Sequence, residues 1–264
     1  MIRQTTASGT QVLQRAFKLL RALSARDRTG WRLSELAEYC GLHHATVHRL
    51  LASLIQEGMV THDPAARRYR LGRLAFEFGI AVSARRDWRL LSAPALDRLA
   101  RQVGDTAFFD LCSGHESVCI DRREGSYPLK ALTVEVGARR PLCVSAGGAA
   151  ILGRLAPEEA CAMLEASLPY LARFPESRIA AVERMLEESR RLGYGYNREM
   201  IIPGVRAVGV AVVGADDRPV GALSVAAVAS RLEGHRRRDV LDLLRGEAAG
   251  IERQLRAQDF NTVS

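Results

Sequence analysis

Apolar residues recur along the first eighty positions of this chain at the spacing of short helices. Val12, Ala16, Leu19, Leu20 and Leu23 form one stripe and predict a helix over residues 10–24, with Gln11, Arg15, Lys18 and Arg21 on its other faces. Leu33, Leu36 and Ala37 form a second, shorter stripe, and Ser34 is placed to cap its first orphan amides. Gly41 then supplies a turn that a residue with a Cβ would strain. Val47, Leu50, Leu51, Leu54 and Ile55 make the third stripe, and His44, Thr46, His48 and Arg49 face outward between its members.

After Val60 the pattern changes. Residues 59–61 and 68–71 read as short strand arms on either side of a turn started by Asp63-Pro64. Two helices joined by a Gly turn are the arrangement that reads the major groove, although an ordinary helical hairpin carries the same stripes. A basic hairpin directly behind them favours the first reading. It makes the unit a winged helix-turn-helix whose tip holds Arg67 and Arg68, suited to phosphate or minor-groove contact. The candidate DNA-facing residues are Gln11, Arg15, Ser34, His44, Thr46, Arg49, Arg67, Arg68 and Arg70. Thr46 and His44 are placed for base edges; Arg15, Ser34 and Arg49 are placed for phosphates.

Between 72 and 86, Leu74, Phe76, Phe78, Ile80 and Val82 put apolar surface on more than one side of a linker helix. A helix that apolar needs a partner. A second copy of the chain would give a two-fold assembly matched to a palindromic operator on double-stranded DNA.

The remainder alternates. Helix is predicted over 90–103, with Pro94 tolerated in its first turn after Ser92. Strands are predicted over 106–112 and 117–121, with a third over 129–136. A helix of small residues follows over 145–155, and Pro157 and Pro175 each open another with acids in the first turn. Two long strands over 206–213 and 220–227 and a closing helix over 232–257 complete the pattern. Helices at both ends and on one face of an antiparallel sheet make this an α+β domain. The expected division is 1–72 for DNA binding, 73–88 for the linker helix, and 89–264 for effector binding and oligomerisation.

Charge sharpens this division. Of the 264 residues, 38 are Lys or Arg and 30 are Asp or Glu, and the net charge is +8. Residues 1–85 hold 13 of the basic and 6 of the acidic groups, so nearly all the excess sits in the first third. An Arg-rich composition accounts for the scarcity of lysine, with only Lys18 and Lys130, but not for where the excess falls. A polyanion that meets only the first domain does account for it. No run of about 18 apolar residues predicts a membrane span, and the first residues lack the apolar core of a signal peptide, so a cytoplasmic protein without a membrane partner is expected.

The motifs of catalysis are missing: there is no Gly-x-Ser-x-Gly elbow, no phosphate-binding Gly-Lys-Ser/Thr loop and no His/Glu metal spacing. An enzyme fused to a DNA-binding domain is therefore disfavoured, and no catalytic residue, metal or cofactor is expected. The five cysteines, Cys40, Cys112, Cys119, Cys143 and Cys161, form no Cys-x-x-Cys pair and read as small buried apolar residues, with a Cys112/Cys119 redox pair the minor alternative. His44 and His48 have a helical metal spacing but no obvious fourth ligand. The run Pro141-Leu-Cys-Val-Ser-Ala-Gly-Gly-Ala-Ala-Ile-Leu places a Ser cap and small residues at a helix start, which serves either close helix–sheet packing or an anion. Small residues in the strands around Gly209 and Ser224 leave room for a cavity.

Taken in order, these parts resemble the IclR family of bacterial transcriptional regulators over nearly the whole chain. The resemblance is carried by Gln14-Arg-Ala-Phe-Lys-Leu-Leu, by Thr46-Val-His-Arg-Leu-Leu with Gly58, and by Tyr69-Arg-Leu-Gly. In the second domain it is carried by Gly137-Ala-Arg-Arg-Pro-Leu, Ala146-Gly-Gly, Gly193-Tyr and Gly221-Ala-Leu-Ser-Val. It implies a winged helix, a linker helix and a GAF-like effector domain, assembled as dimers or dimers of dimers, regulating catabolism of small organic or aromatic acids. By position it implies an effector pocket formed by Leu129, Leu132, Ala146, Gly147, Asn197, Ala207, Gly209, Ser224 and Ala226. Asn197 stands where an acid is common in the family, Ala207 where Cys is common, and Ala226 where a second Ser is often found. His43 replaces the usual Ser/Thr cap of the reading helix. Fewer polar groups imply a larger, partly apolar acid with its carboxylate at the 146–148 helix start. A constitutive architectural protein whose second domain only oligomerises is the other reading.

Overall fold

The structure, a computed structural model, describes residues 8–26, 29–83, 86–172, 174–200 and 202–262. It divides into two compact units, Met1–Asp87 and Trp88–Ser264.

In the first unit, α1 (Ser8–Ala25), α2 (Leu33–Cys40) and α3 (His44–Gln56) are followed by the hairpin β1 (Val60–Asp63) and β2 (Arg68–Leu71), then by α4 (Arg73–Ser83). Leu19, Leu23, Leu36, Val47, Leu51 and Val60 meet in one buried cluster, which is where the three helical stripes point. Gly41 ends α2 in the left-handed region with φ 59°, the turn a Cβ would strain. Trp31 exchanges both backbone hydrogen bonds with Tyr69, at 3.0 and 2.8 Å, so the chain entering α2 adds a third arm to the wing. Asp63 accepts from the amides of Ala65 and Ala66, both at 3.0 Å, and so closes the turn at the wing tip.

One cap differs from expectation. Helix α2 begins at Leu33 with Arg32 in the cap position, and the Arg32 amide donates to the Glu35 carboxylate at 3.1 Å. Glu35 thus satisfies the helix entry, and Ser34 lies exposed inside the first turn.

The second unit is a six-stranded antiparallel sheet in the order β5-β4-β3-β8-β7-β6, formed by β3 (Thr106–Ser113), β4 (Glu116–Arg123), β5 (Arg139–Pro141), β6 (Gly195–Arg198), β7 (Val205–Val213) and β8 (Pro219–Val228). Helices cover both faces rather than one. Ala107, Phe109, Val208, Val210, Leu223 and Val225 point to one face, where they pack with Leu96, Leu99, Leu244 and Ile251 from α5 (Trp88–Val103) and α9 (Gly234–Thr262). The alternate positions point to the other face, which is shared with α6 (Ala146–Arg154), α7 (Pro157–Leu171) and α8 (Glu176–Leu192). Pro94 lies in the interior of α5, because that helix starts at Trp88, ahead of the expected start.

The expected strand over 129–136 is irregular. Both sides of the preceding strand β4 are taken, one by β3 and the other by residues 137–141. Gly137 donates to the Cys119 carbonyl at 2.7 Å and Cys119 donates to Ala138 at 3.0 Å, and the ladder continues into β5. Residues 129–136 instead bend across the sheet and bury Ala131 against Phe108, Cys119 and Ala226.

Candidate functional site

Two places carry chemistry, one in each unit. In the first unit, the start of α2, the start of α3 and the wing enclose a surface groove of about 590 Å³ lined by Arg32, Leu33, Ser34, His44, His62, Pro64, Arg67 and Tyr69. It brings together three of the residues expected to meet DNA: Ser34, His44 and Arg67. Gln11, Arg15, Thr46 and Arg49 lie outside it, Gln11 exposed on α1, Arg15 half-buried there, Arg49 exposed on α3 and Thr46 half-buried there. Arg32 and His62 were missed. His62 stacks on Tyr69 at 4.4 Å, a contact that becomes visible only once the hairpin register pairs the two.

The wing arginines separate by role. Arg67 is exposed at the tip, with φ 52°. Arg68 donates to the Gly30 carbonyl at 2.8 Å and lies 3.9 Å from the Glu35 carboxylate. Arg70 lies 4.0 Å from Asp63. Arg68 and Arg70 therefore brace the wing, while Arg67 presents its charge outward.

At the reading helix, His43 holds the cap position of α3 with extended backbone and makes no side-chain cap hydrogen bond. His44 and His48 stand on this helix, and among the described residues no group of His, Cys, Asp and Glu is arranged to hold a metal ion.

In the second unit, a cavity of about 190 Å³ opens on the α6 face of the sheet. Its apolar wall includes Phe108, Val134, Val144, Tyr170, Ile202, Val205, Ala207 and Ala226, and its polar wall includes Thr133, Arg139, Arg140, Ser145, Asn197 and Ser224. Ala146, Asn197, Ala207, Ser224 and Ala226 were all expected to line a pocket. Leu129 and Leu132 do not line it: they are exposed, because residues 129–136 bend instead of running as a strand, and Thr133 and Val134 take their place.

Gly147 and Gly209 serve packing rather than lining. A Cβ on Gly209 would come within 2.7 Å of the Gly147 nitrogen, and one on Gly195 within 1.9 Å of the Ala146 oxygen. The first turn of α6 thus rests directly on the backbone of β6 and β7. Ser145 caps α6, its hydroxyl accepting from the Gly148 amide at 2.9 Å. The Gly148 amide is thus taken by Ser145, and Ser145 and Ala146 bring this helix start into the cavity wall.

Asn197 is a strap. Its Nδ2 donates to the Val144 carbonyl at 3.1 Å, and its Oδ1 accepts from the Met200 amide at 2.9 Å. An acid at this position could accept but not donate, so Asn suits a site that must hold Val144. Arg139 is committed to the hairpin tip, with Nε on Glu116 and Nη2 on Ser113 Oγ, both at 2.9 Å. Arg140 donates from Nη2 to Asp110 at 2.9 Å.

Burial pushes the Cys119 thiol up to about 12, with Asp110 adding in the same direction, and burial also raises Cys112 and Cys143. Cys112 faces Ser117 across the β3–β4 ladder, and Cys119 faces Asp110. A thiolate-based redox pair is disfavoured on both counts.

A helix-turn-helix with a basic wing, joined to an antiparallel α+β unit with a cavity of mixed polarity, defines a class of DNA-binding regulator. The C-terminal model described as "Bacterial transcriptional regulator IclR C-terminal" matches residues 81–253, and the IclR helix-turn-helix domain matches residues 12–64. The chain belongs to the IclR family of bacterial transcriptional regulators, and it is a DNA-binding transcriptional regulator, not an enzyme. It is 32% identical over 234 residues to HTH-type transcriptional regulator Rv1719 of Mycobacterium tuberculosis, covering 87% of each chain. A crystal structure described as an IclR-type regulator from Silicibacter sp. TM1040 superposes with a TM-score of 0.78 at 26% identity, covering 93% of this chain and 96% of that one. A second, of an IclR homologue from Microbacterium hydrocarbonoxydans complexed with 4-hydroxybenzoate, superposes with a TM-score of 0.70 at 22% identity, covering 93% and 99%.

Proposed function

We propose that this protein is an effector-responsive regulator of a catabolic operon, with α3 and the wing on a palindromic operator and a small organic acid in the second unit's cavity. The observation that carries the reading is the cavity itself. At about 190 Å³ it exceeds the roughly 150 Å³ apolar cavity known to hold benzene, and its wall combines Phe108 and Tyr170 with two arginines. The 4-hydroxybenzoate bound by the Microbacterium homologue supports an acid with an aromatic body. Thr46 and His44 approach base edges; Arg15, Ser34 and Arg49 contact phosphates; Arg67 reaches from the wing. No helix among the described residues is long and apolar enough to cross a membrane, which agrees with a cytoplasmic regulator. The effector acts only through its different affinity for DNA-competent and DNA-incompetent arrangements.

The test is electrophoretic mobility shift on DNA upstream of the protein's own gene, with and without 4-hydroxybenzoate, benzoate and short-chain acids. A discrete complex whose midpoint moves with one of these acids is expected. An unmoved midpoint across the panel, with no ligand-induced change in melting, would instead favour a constitutive DNA-binding protein.

A further inference from the structure

The groove between α2, α3 and the wing is lined by Arg32, Ser34, His44, His62, Arg67 and Tyr69, and by no carboxylate. We propose that it is a proton-gated seat for a DNA backbone phosphate. His44 and His62 receive the phosphate as imidazolium, so the protein holds DNA more tightly as pH falls. This rests on the placing of α3 and the wing on DNA above.

Three observations carry the assignment. Among the described residues, Arg32 and Arg67 make no ion pair, so both cations are available to an incoming anion. The carboxylates of the neighbouring elements are spent elsewhere. On α2, Glu35 accepts from the Arg32 amide at 3.1 Å and lies 3.9 Å from Arg68. In the wing, Asp63 accepts from the amides of Ala65 and Ala66 and lies 4.0 Å from Arg70. The two imidazoles are exposed and stand on different elements, His44 at the start of α3 and His62 in β1. The His62 ring is held in one orientation, stacked on Tyr69 at 4.4 Å with 24° between the planes. His43 and His48 flank His44 on the reading helix, so four of the six histidines stand on α3, its cap and the wing.

An imidazole exchanges its proton near pH 6.5, whereas a phosphodiester stays anionic throughout. Cations beside an imidazole disfavour its proton, and a phosphate beside it favours the proton. The complex therefore takes up protons that the free groove does not hold. The added affinity is present in full below the ordinary histidine value of about 6.5 and is lost as pH rises towards 8. Arg32 and Arg67 stay charged across that range and supply the part of the affinity that does not change.

The experiment is fluorescence anisotropy of the full-length protein with a labelled duplex of random sequence, at pH 6, 7 and 8 and constant ionic strength. Random sequence suffices because backbone contacts carry no sequence information. Affinity should fall by roughly tenfold from pH 6 to pH 8, about threefold from each imidazole. Isothermal titration at pH 7 in two buffers of different ionisation heat should register net proton uptake by the wild-type complex. His44→Gln/His62→Phe removes both titrating groups, and Phe keeps a ring on Tyr69. Its dependence on pH should shrink to less than about threefold, with each single variant in between. A larger dependence in the double variant overturns the assignment to this groove. A flat wild type without proton uptake overturns the gate and leaves the placing of DNA intact. No binding at any pH in low salt overturns the seat and that placing together.

Discussion

At the scale of the residue, two side chains have measurable consequences. His43 leaves the amides at the start of α3 without a side-chain cap. His43→Ser should stabilise the first unit by about 1 kcal/mol, because a hydroxyl on the extended cap backbone can accept from the first-turn amides of α3. For a unit of this size that is a rise of roughly 4–8 °C in its melting transition by calorimetry, and an unchanged transition would show that the cap is not limiting. Cys119 makes a prediction in pH. Its thiol keeps its proton in the folded state up to about 12, whereas the unfolded chain loses that proton near the ordinary thiol value of about 8.5. Between those limits the folded state binds more protons, so its stability, fully present below about pH 8.5, falls as pH rises. Urea denaturation at pH 8 and pH 10 should show the loss, and Cys119→Ala should shrink it.

At the scale of the element, the wing and the reading helix are expected to contribute differently. Arg67 sits at φ 52°, where glycine is at ease, so Arg67→Gly removes the charge without straining the hairpin. It should weaken binding to every DNA sequence and reduce the slope of log affinity against log salt by about 1. Thr46→Ala should leave that slope in place and change the sequence preference. Fluorescence anisotropy over a salt series, with operator and scrambled duplexes, separates the two. Equal effects on both duplexes from both substitutions would contradict the division of labour.

At the scale of the whole molecule, α4 keeps Phe76, Phe78, Ile80 and Val82 between 55% and 69% exposed, more apolar surface than a solvated helix carries. If this helix pairs two copies of the chain, Phe76→Glu/Ile80→Glu should lower the mass found by sedimentation equilibrium to that of a monomer. Affinity for a two-half-site operator should fall with it, since each half-site would then be bound separately. An unchanged mass would place the assembly elsewhere.

The order of elements and the winged helix could be read from the sequence because their signals are local. Helical stripes, the Gly41 turn and the Asp63-Pro64 turn depend on neighbours within one or two turns of chain. The unequal charge could be read for the same reason: it needs only a count along the chain. What lay beyond the sequence depended on pairing between distant segments. Residues 129–136 have the composition of a strand, but whether they form one depended on an edge of β4 that residues 137–141 had already taken. Gly147 and Gly209 look like room for a ligand until β6 and β7 are brought against α6, where that room is filled by backbone. Arg140 is one arginine among many until β5 pairs with β4 and sets it against Asp110, a residue thirty positions earlier, in the wall of a cavity. Local periodicity therefore determined the parts and their order. Only tertiary contact decided which small residues enclose a space and which charge faces into it, because burial and pairing are properties of neighbours that the chain brings from far away.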